Sequence, residues 1–517
     1  MHSTHPPAPL PDPALGGPLW VTPAGRGSQV MVATDALLAQ TERLARLHDS
    51  LESDAVALDR IDALGVGALA TAAAGVPGAA AAMRSAAHLD GARVAVRSAA
   101  AVARRADADL RQAIAGYTAA EERQQSQALR LGELVGILFG PALRGLVIAG
   151  MPSLLSARAA GLGPEDLPVD GLERWLLDHP ELITDPAFVE GVRATVMSID
   201  DATGSAMGLS PGAVEILAAS HGFTEVEAGA AITMLAGGSI GLFREGAVSM
   251  ERVTTSRVTH GAHGTLDRLS RVPENDQVRI ERYDAPGEPP RYVVYVGPTE
   301  TFSPVATDEP WDLTSNVAAV AGLGAGSLRA TELAMHDAGV RDSDQVQFIG
   351  FSQGGLIAAR LAASDSWNTV GLETYGAPAG GIALPEGLAG MAIRNTDDFI
   401  PALAGPQSDH HLLQVERRAF APGAPIPTAE PAPAHQREAY AATATAIDAA
   451  ESLAVRRQIA AMDAFTAGYE HRDGATITVM TYHAERGGEK HLAPGKSLGA
   501  GIPAAVTPTW SSGGSIP

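Results

Sequence analysis

The 517-residue chain contains no cysteine. Disulfides, thiolate metal sites and a cysteine nucleophile are therefore excluded, while the compartment stays open, because a cysteine-free chain tolerates either redox state. Aromatic residues make up only 4% and charged residues 19%. Abundant alanine and glycine take their place, which favours close-packed helices. Basic residues are scarce: 37 Lys and Arg stand against 59 Asp and Glu, a formal net charge of −22. Such a chain repels nucleic acid and anionic membrane at long range, so neither is expected as a partner. Neutral molecules are the expected substrates. Long apolar runs are also missing. The most apolar stretch, Leu131 to Leu155, is broken by Glu133, Pro141 and Arg144. A bilayer crossing needs about 20 mostly apolar residues, so a buried or interfacial helix pair is expected there and no transmembrane span. The proline-rich start, Met1 to Gly17, has no basic stretch followed by an apolar core and does not read as a Sec signal peptide.

The apolar content of 45% is ample for real cores, and the length suggests roughly two to four domains. Residues 1–27 read as a flexible leader. From about Thr34 a helical pattern begins, with Leu37, Leu44, Leu51 and Leu58 at seven-residue intervals and Leu47 and Ile61 on the same side. A second stripe, Val96, Ala103, Leu110 and Tyr117, runs through 89–127 with Ala99, Ala106 and Ala113 beside it. Joined by the glycine- and alanine-rich stretch 65–88, the two predict an antiparallel hairpin within 28–130. Residues 131–268 are expected to continue as helices. Ser210-Pro211 offers a cap with a first-turn proline, Thr224-Glu225-Val226-Glu227 a capping box, and Gly237-Gly238-Ser239-Ile240-Gly241 a hinge. No chemistry is legible in this block.

Near Val272 the period changes to two. Val278–Tyr283 alternates, and Tyr292–Val296 is fully apolar, as a strand buried on both faces would be. A helix is expected from Asn316 to Met335. Strands follow at Val346–Ile349, Val370–Tyr375, Met391–Arg394, Leu412–Val415 and Ile477–Met480, with a helix at His435–Ile447. Strands alternating with helices imply a mostly parallel sheet over 269–490. The tail, 491–517, is rich in Gly, Ser, Pro and Thr and reads as disordered.

The motif that organises this half is Gly350-Phe351-Ser352-Gln353-Gly354, set between the strand and the helix-like Gly355–Ala362. Strand, G-x-S-x-G, helix is the context of a nucleophile elbow. Side chains two residues before and after the serine would strike the neighbouring strand and helix, so Gly350 and Gly354 omit them. A serine nucleophile needs a base, an acid that orients the base, and donors for an oxyanion. The N–H of Gln353 is one donor. The other expected donor is the N–H of Thr299, with its hydroxyl, in the small-residue loop after Tyr292–Val296. Asp397 and Asp398 both lie in the loop after Met391–Arg394. The histidines beyond them are His410, His411, His435, His471, His483 and His491. Of these, His435 follows the proline-rich stretch 422–434 and opens a helix, so it can be delivered onto the serine from above.

Three segments together carry a family resemblance. Gly350–Gly354, Tyr375-Gly376-Ala377-Pro378 and Asn395-Thr396-Asp397-Asp398-Phe399-Ile400-Pro401 resemble segments that occur in that order in class 3 lipases, within the α/β-hydrolase superfamily. Gly297–Thr299 and Thr314–Asn316 also resemble a segment of actinobacterial hydrolase-like proteins. The resemblance covers about 270–485. It implies an α/β-hydrolase-like fold and a Ser-Asp-His order. It also implies that Asp398, two residues before the apolar–proline pair, is the acid, with Asp397 as alternate. The histidine followed by a tyrosine, as in His435 and Tyr440, implies His435 as the base, with His411 and His483 as alternates. The expected activity is hydrolysis of a small-molecule or lipid carboxylic ester with no metal or organic cofactor; a thioesterase or amidase would use the same triad.

The N-terminal hairpin resembles substrates of type VII secretion. Tyr117-Thr118-Ala119-Ala120-Glu121 matches their Y-x-x-x-D/E signal, while a W-x-G between the helices is absent. That resemblance implies a secretion-machinery partner and export without a Sec signal, against a cytoplasmic alternative. It also opens a different reading of the whole chain: an exported helical partner-binding or effector protein whose hydrolase domain is payload or inactive scaffold.

Overall fold

A computed structural model describes residues 16–17, 19–22, 30–72, 87–108, 111, 177–196, 225–239, 243–274, 276–302, 306–405, 411–421, 423–470 and 472–487. The architecture is α/β. Among the described residues ten strands form one mixed sheet. They are β1 (Leu19–Thr22), β2 (Val30–Met31), β3 (Val248–Val258), β4 (Val278–Asp284), β5 (Arg291–Val296), β6 (Gln345–Phe351), β7 (Asn368–Tyr375), β8 (Met391–Asn395), β9 (Leu413–Arg417) and β10 (Thr476–Arg486). Their spatial order is β2-β1-β9-β8-β7-β6-β5-β4-β10-β3. The pairs from β5 through β9 are parallel, and the flanking pairs are antiparallel.

Among the described residues the helices of eight or more residues are α1 (Val32–Ala72), α2 (87–108), α3 (Pro186–Val196), α4 (Glu225–Ser239), α5 (Gly264–Arg271), α6 (Leu313–Val320), α7 (Gly326–Asp337), α8 (Gln353–Ala362), α9 (Arg437–Asp448) and α10 (Leu453–Glu470). Both faces of the sheet are covered, which explains the apolar strands. Tyr292, Val294 and Val296 face one side with Val346 and Phe348, under Ala318, Ala330, Ala334, Leu356 and Ile357 of α6, α7 and α8. Val293 and Tyr295 face the other with Ile349 and Tyr375, under Leu269, Ile447, Val455 and Met462 of α5, α9 and α10. Each fully buried Val, Leu, Ile, Phe or Met side chain among them contributes about 1.5–3 kcal/mol relative to exposure.

Several expected elements differ. Leu19–Thr22, assigned to the leader, is a strand that pairs antiparallel with β9; four residues whose partner lies nearly four hundred positions on leave little local signal. Val248–Val258 is likewise a strand within the block expected to be all helix, 131–268. It is an edge strand exposed along most of its length. Val248, Met250 and Val258 near its ends touch the cores while its middle is exposed, so its sequence carries little alternation to read. The sheet unit thus begins well before residue 269. The single helix expected at Asn316–Met335 is two helices, divided at Gly322, whose φ of 69° suits glycine. Gly237 and Gly238, read as a hinge, lie inside α4, and Gly65 and Gly67 lie inside α1.

α1 and α2 run antiparallel. His48 Nδ1 lies 3.1 Å from the Ala100 carbonyl, and Arg97 donates to Asp59 at 2.5 Å. The close-packed positions are small: Ala55, Ala100 and Ala103 are buried, whereas Leu47 and Ile61 are about half exposed, contrary to the stripe expected of them. Alanine lets the helix axes approach, and larger side chains lean out beside the seam. Among the described residues no helix is long and apolar enough to cross a membrane. Tyr117–Glu121, Leu131–Leu155, Ser210-Pro211, the cap residue Thr224 and the tail 491–517 lie outside the described residues.

Candidate active site

Five adjacent parallel strands carry their C-terminal ends to one edge of the sheet, where sites form in such folds. The loops after β5, β6 and β8 carry Thr299, Ser352 and Asp398.

Ser352 links β6 to α8 with φ 55° and ψ −122°. A non-glycine residue is held in such a conformation at a cost of about 1–3 kcal/mol. The surroundings that enforce it are legible atom by atom. The Ser352 N–H donates to the Tyr375 carbonyl of β7 at 2.8 Å, and its own carbonyl accepts from Gly355 and Leu356 at 3.0 and 3.2 Å, opening the helix. A Cβ on Gly350 would sit 2.2 Å from the Gly354 carbonyl oxygen, and one on Gly354 would sit 2.0 Å from that of Val296. Both glycines are steric requirements of the turn. Gln353 is the first residue of α8. Its side chain is buried away from the edge, with Nε2 donating to Ser327 Oγ at 3.2 Å. Val296 pairs with Gly350; Thr299 and Gln353 each lie three residues beyond that pair. Thr299 Oγ1 accepts from Asn316 Nδ2 at 2.9 Å. Glu300, next to it, has a carboxyl pushed up to about 7 by burial first and then by the adjacent Glu309 carboxylate.

His435 closes a short 3-10 turn, Pro433–His435, two residues before α9 begins, so it precedes the helix instead of opening it. Its Nε2 is 2.8 Å from Ser352 Oγ, and its Nδ1 is 2.6 Å from Asp398 Oδ2. The ring stacks on Phe351 with centroids 5.3 Å apart. One imidazole thus bridges the serine and the carboxylate. Asp398 is buried; its Oδ1 accepts from the Ile400 N–H at 2.9 Å, and its Oδ2 also accepts from the Tyr440 hydroxyl at 2.8 Å. Asn395 at the end of β8 fastens the loop that bears the histidine. Its Nδ2 donates to the Ala434 carbonyl at 2.9 Å, and its Oδ1 accepts from Thr443 at 2.8 Å.

The alternates lie elsewhere. Asp397 faces away from the histidine and accepts from the N–H groups of Ala419 and Phe420 at 2.8 and 3.0 Å, anchoring the loop after β9. Burial pushes its carboxyl up to about 6 against those two bonds. His411 precedes β9 and so stands at the opposite edge of the parallel strands. His483 lies on β10 opposite Glu251, three strands from β6, roughly 14 Å at ordinary strand spacing. His410, His471 and His491 are outside the described residues. Tyr440 and Asn395 carried no site assignment from sequence. Their signal was the segments they sit in: Tyr440 five residues past His435, and Asn395 opening the segment that holds Asp398.

No family model matches the chain, and no curated protein or solved structure matches it.

Proposed function

We propose that the chain is a serine hydrolase of carboxylic esters with an α/β-hydrolase-like catalytic unit. One observation carries the reading: a single imidazole within hydrogen-bond reach of both the strained Ser352 hydroxyl and the buried Asp398 carboxylate. Nucleophile, base and orienting acid in that relation are the requirement for acyl transfer. Ser352 Oγ attacks the acyl carbon as its proton passes to His435 Nε2. Asp398 holds the ring with Nδ1–H toward itself and stabilises the imidazolium. The oxyanion that develops is received by the N–H groups of Gln353 and Thr299. The hydroxyl of Thr299 can add a third donor, because Asn316 occupies an acceptor site of that oxygen and leaves its proton free. Collapse passes the proton from His435 to the leaving alkoxide. Water then attacks the acyl-enzyme, with His435 again as base, and releases the acid and Ser352. Thioesters and activated amides could follow the same course.

Turnover of p-nitrophenyl esters and labelling by a fluorophosphonate test the reading together. Both should occur in the full chain, and Ser352→Ala should abolish labelling and lower turnover by at least about a thousandfold. Equal turnover in the two proteins would remove the assignment.

A further inference from the structure

The geometry points to Tyr440 as a positioning residue that shares Asp398 Oδ2 with His435 and thereby weakens the carboxylate's hold on the imidazolium. This inference rests on the hydrolase reading for its kinetic test but not for its spectroscopic one.

The proton arrangement at Tyr440 follows from its two partners. The N–H of Asn395 donates to the phenol oxygen at 3.1 Å. A backbone N–H can only donate, so the hydroxyl's own proton is directed to its other partner, Asp398 Oδ2, at 2.8 Å. That oxygen is the one His435 Nδ1 reaches at 2.6 Å. Asp398 Oδ2 therefore accepts two charge-assisted bonds while Oδ1 accepts one from Ile400. Burial, followed by the negative charge of Asp398, holds the phenol protonated well above the ordinary tyrosine range, so it remains a donor across the working pH.

The ring is held as firmly as the hydroxyl. Tyr440 packs edge-on against His435 and against Phe351, at 6.2 and 5.5 Å between centroids. The space it fills is left by Gly376, where a Cβ would lie 2.9 Å from the tyrosine ring. Among the described residues few other charged groups lie near the imidazole. Asp397 lies beside Asp398 in the chain but is turned to the β9 side. Arg437 lies over Phe351 at 5.7 Å and is paired with Glu274, with Glu438 exposed next to it. None of them touches Asp398 Oδ2, so that contact belongs to Tyr440 and His435.

A carboxylate oxygen that already accepts from a phenol offers less charge to the imidazolium. Removing the phenol proton should then tighten the Asp398–His435 bond. The test compares wild type, Tyr440→Phe and a protein with 3-fluorotyrosine at position 440, introduced by amber suppression. The acid limb of the kcat/KM profile against pH should move up by about half a unit to one unit in Tyr440→Phe. It should move down in the fluorotyrosine protein, whose phenol is the stronger acid and the stronger donor. The far-downfield Nδ1 proton of His435 should shift further downfield in Tyr440→Phe. Limbs and resonance unmoved, with rates merely reduced, would overturn the inference and leave Tyr440 a packing residue. The fluorotyrosine protein keeps the whole side chain and decides the matter if the phenylalanine variant folds poorly. If wild type neither turns over esters nor takes the fluorophosphonate, the hydrolase reading fails, and the proton resonance alone still decides what Tyr440 does.

Discussion

Two adjacent aspartates, Asp397 and Asp398, illustrate how little a residue's identity says about its work. They leave β8 on successive positions, yet one faces His435 and the other faces the backbone of Ala419 and Phe420. Asp397 yields a prediction with a definite sign. Its folded-state carboxyl titrates near 6, above its usual value of 3.8, so the folded chain binds this proton more tightly than the unfolded one. The stabilisation linked to it is complete below about pH 4 and is lost as pH rises through 6, up to about 3 kcal/mol. Asp397→Asn cannot titrate. Unfolding midpoints in urea, measured from pH 4 to 7, should lose that part of the slope in the variant and keep it in wild type. Gly350 and Gly354 show the opposite case, in which residue type nearly dictates role: no side chain fits at either place. They were legible in the sequence for that reason, as was Ser352 between them.

Among elements, α3 is one whose place could not be anticipated. Phe188, Val189 and Val192 pack with Ile183 against Ala402, and Phe188 meets Phe399 edge to face at 6.3 Å. A short helix from the first half of the chain is thus seated on the segment that directly follows Asp398. Phe188→Ala should cost about 3–5 kcal/mol at this contact. The loss is expected as local opening, since among the described residues this cluster is where α3 meets the segment after β8. Hydrogen exchange followed by mass spectrometry should show protection falling in 180–196 and 399–404 while β6 and β7 are unchanged, and ester turnover should fall with it. β3 and β1 were hidden for a related reason. Each is an edge or near-edge strand defined by its partner, β10 or β9, and neither has a repeating pattern of its own. The hairpin of α1 and α2 was visible in outline, but its seam is built on alanines; the leucine and isoleucine counted toward it at 47 and 61 lie outside it.

At the scale of the whole molecule, the second helical layer is tied to the sheet by buried charge as well as by apolar contact. Arg268 of α5 forms a two-bond pair with Glu373 of β7, at 3.0 and 2.9 Å, and also donates to Asp463 of α10. Asp448 at the end of α9 accepts from the N–H groups of Thr265 and Leu266 in the first turn of α5 at 2.7 and 3.0 Å, a cap supplied from another helix. Arg268→Met leaves Glu373 buried without its cation and should cost about 3–5 kcal/mol. Adding Glu373→Leu should recover at least half of that, because Tyr375 keeps the Thr265 carbonyl as a partner. Denaturant midpoints of the two proteins check this, and a double variant no more stable than the single one would refute it. Local sequence was enough for the α/β alternation, the turn that holds Ser352 and the loop that holds Asp398, because each rests on local sterics or on burial of both faces of a strand. The tertiary structure alone decided which aspartate meets which histidine, what Tyr440 touches, and where α3, β1 and β3 belong. Those outcomes depend on contacts between segments tens to hundreds of residues apart, and no periodicity within a segment records its partner.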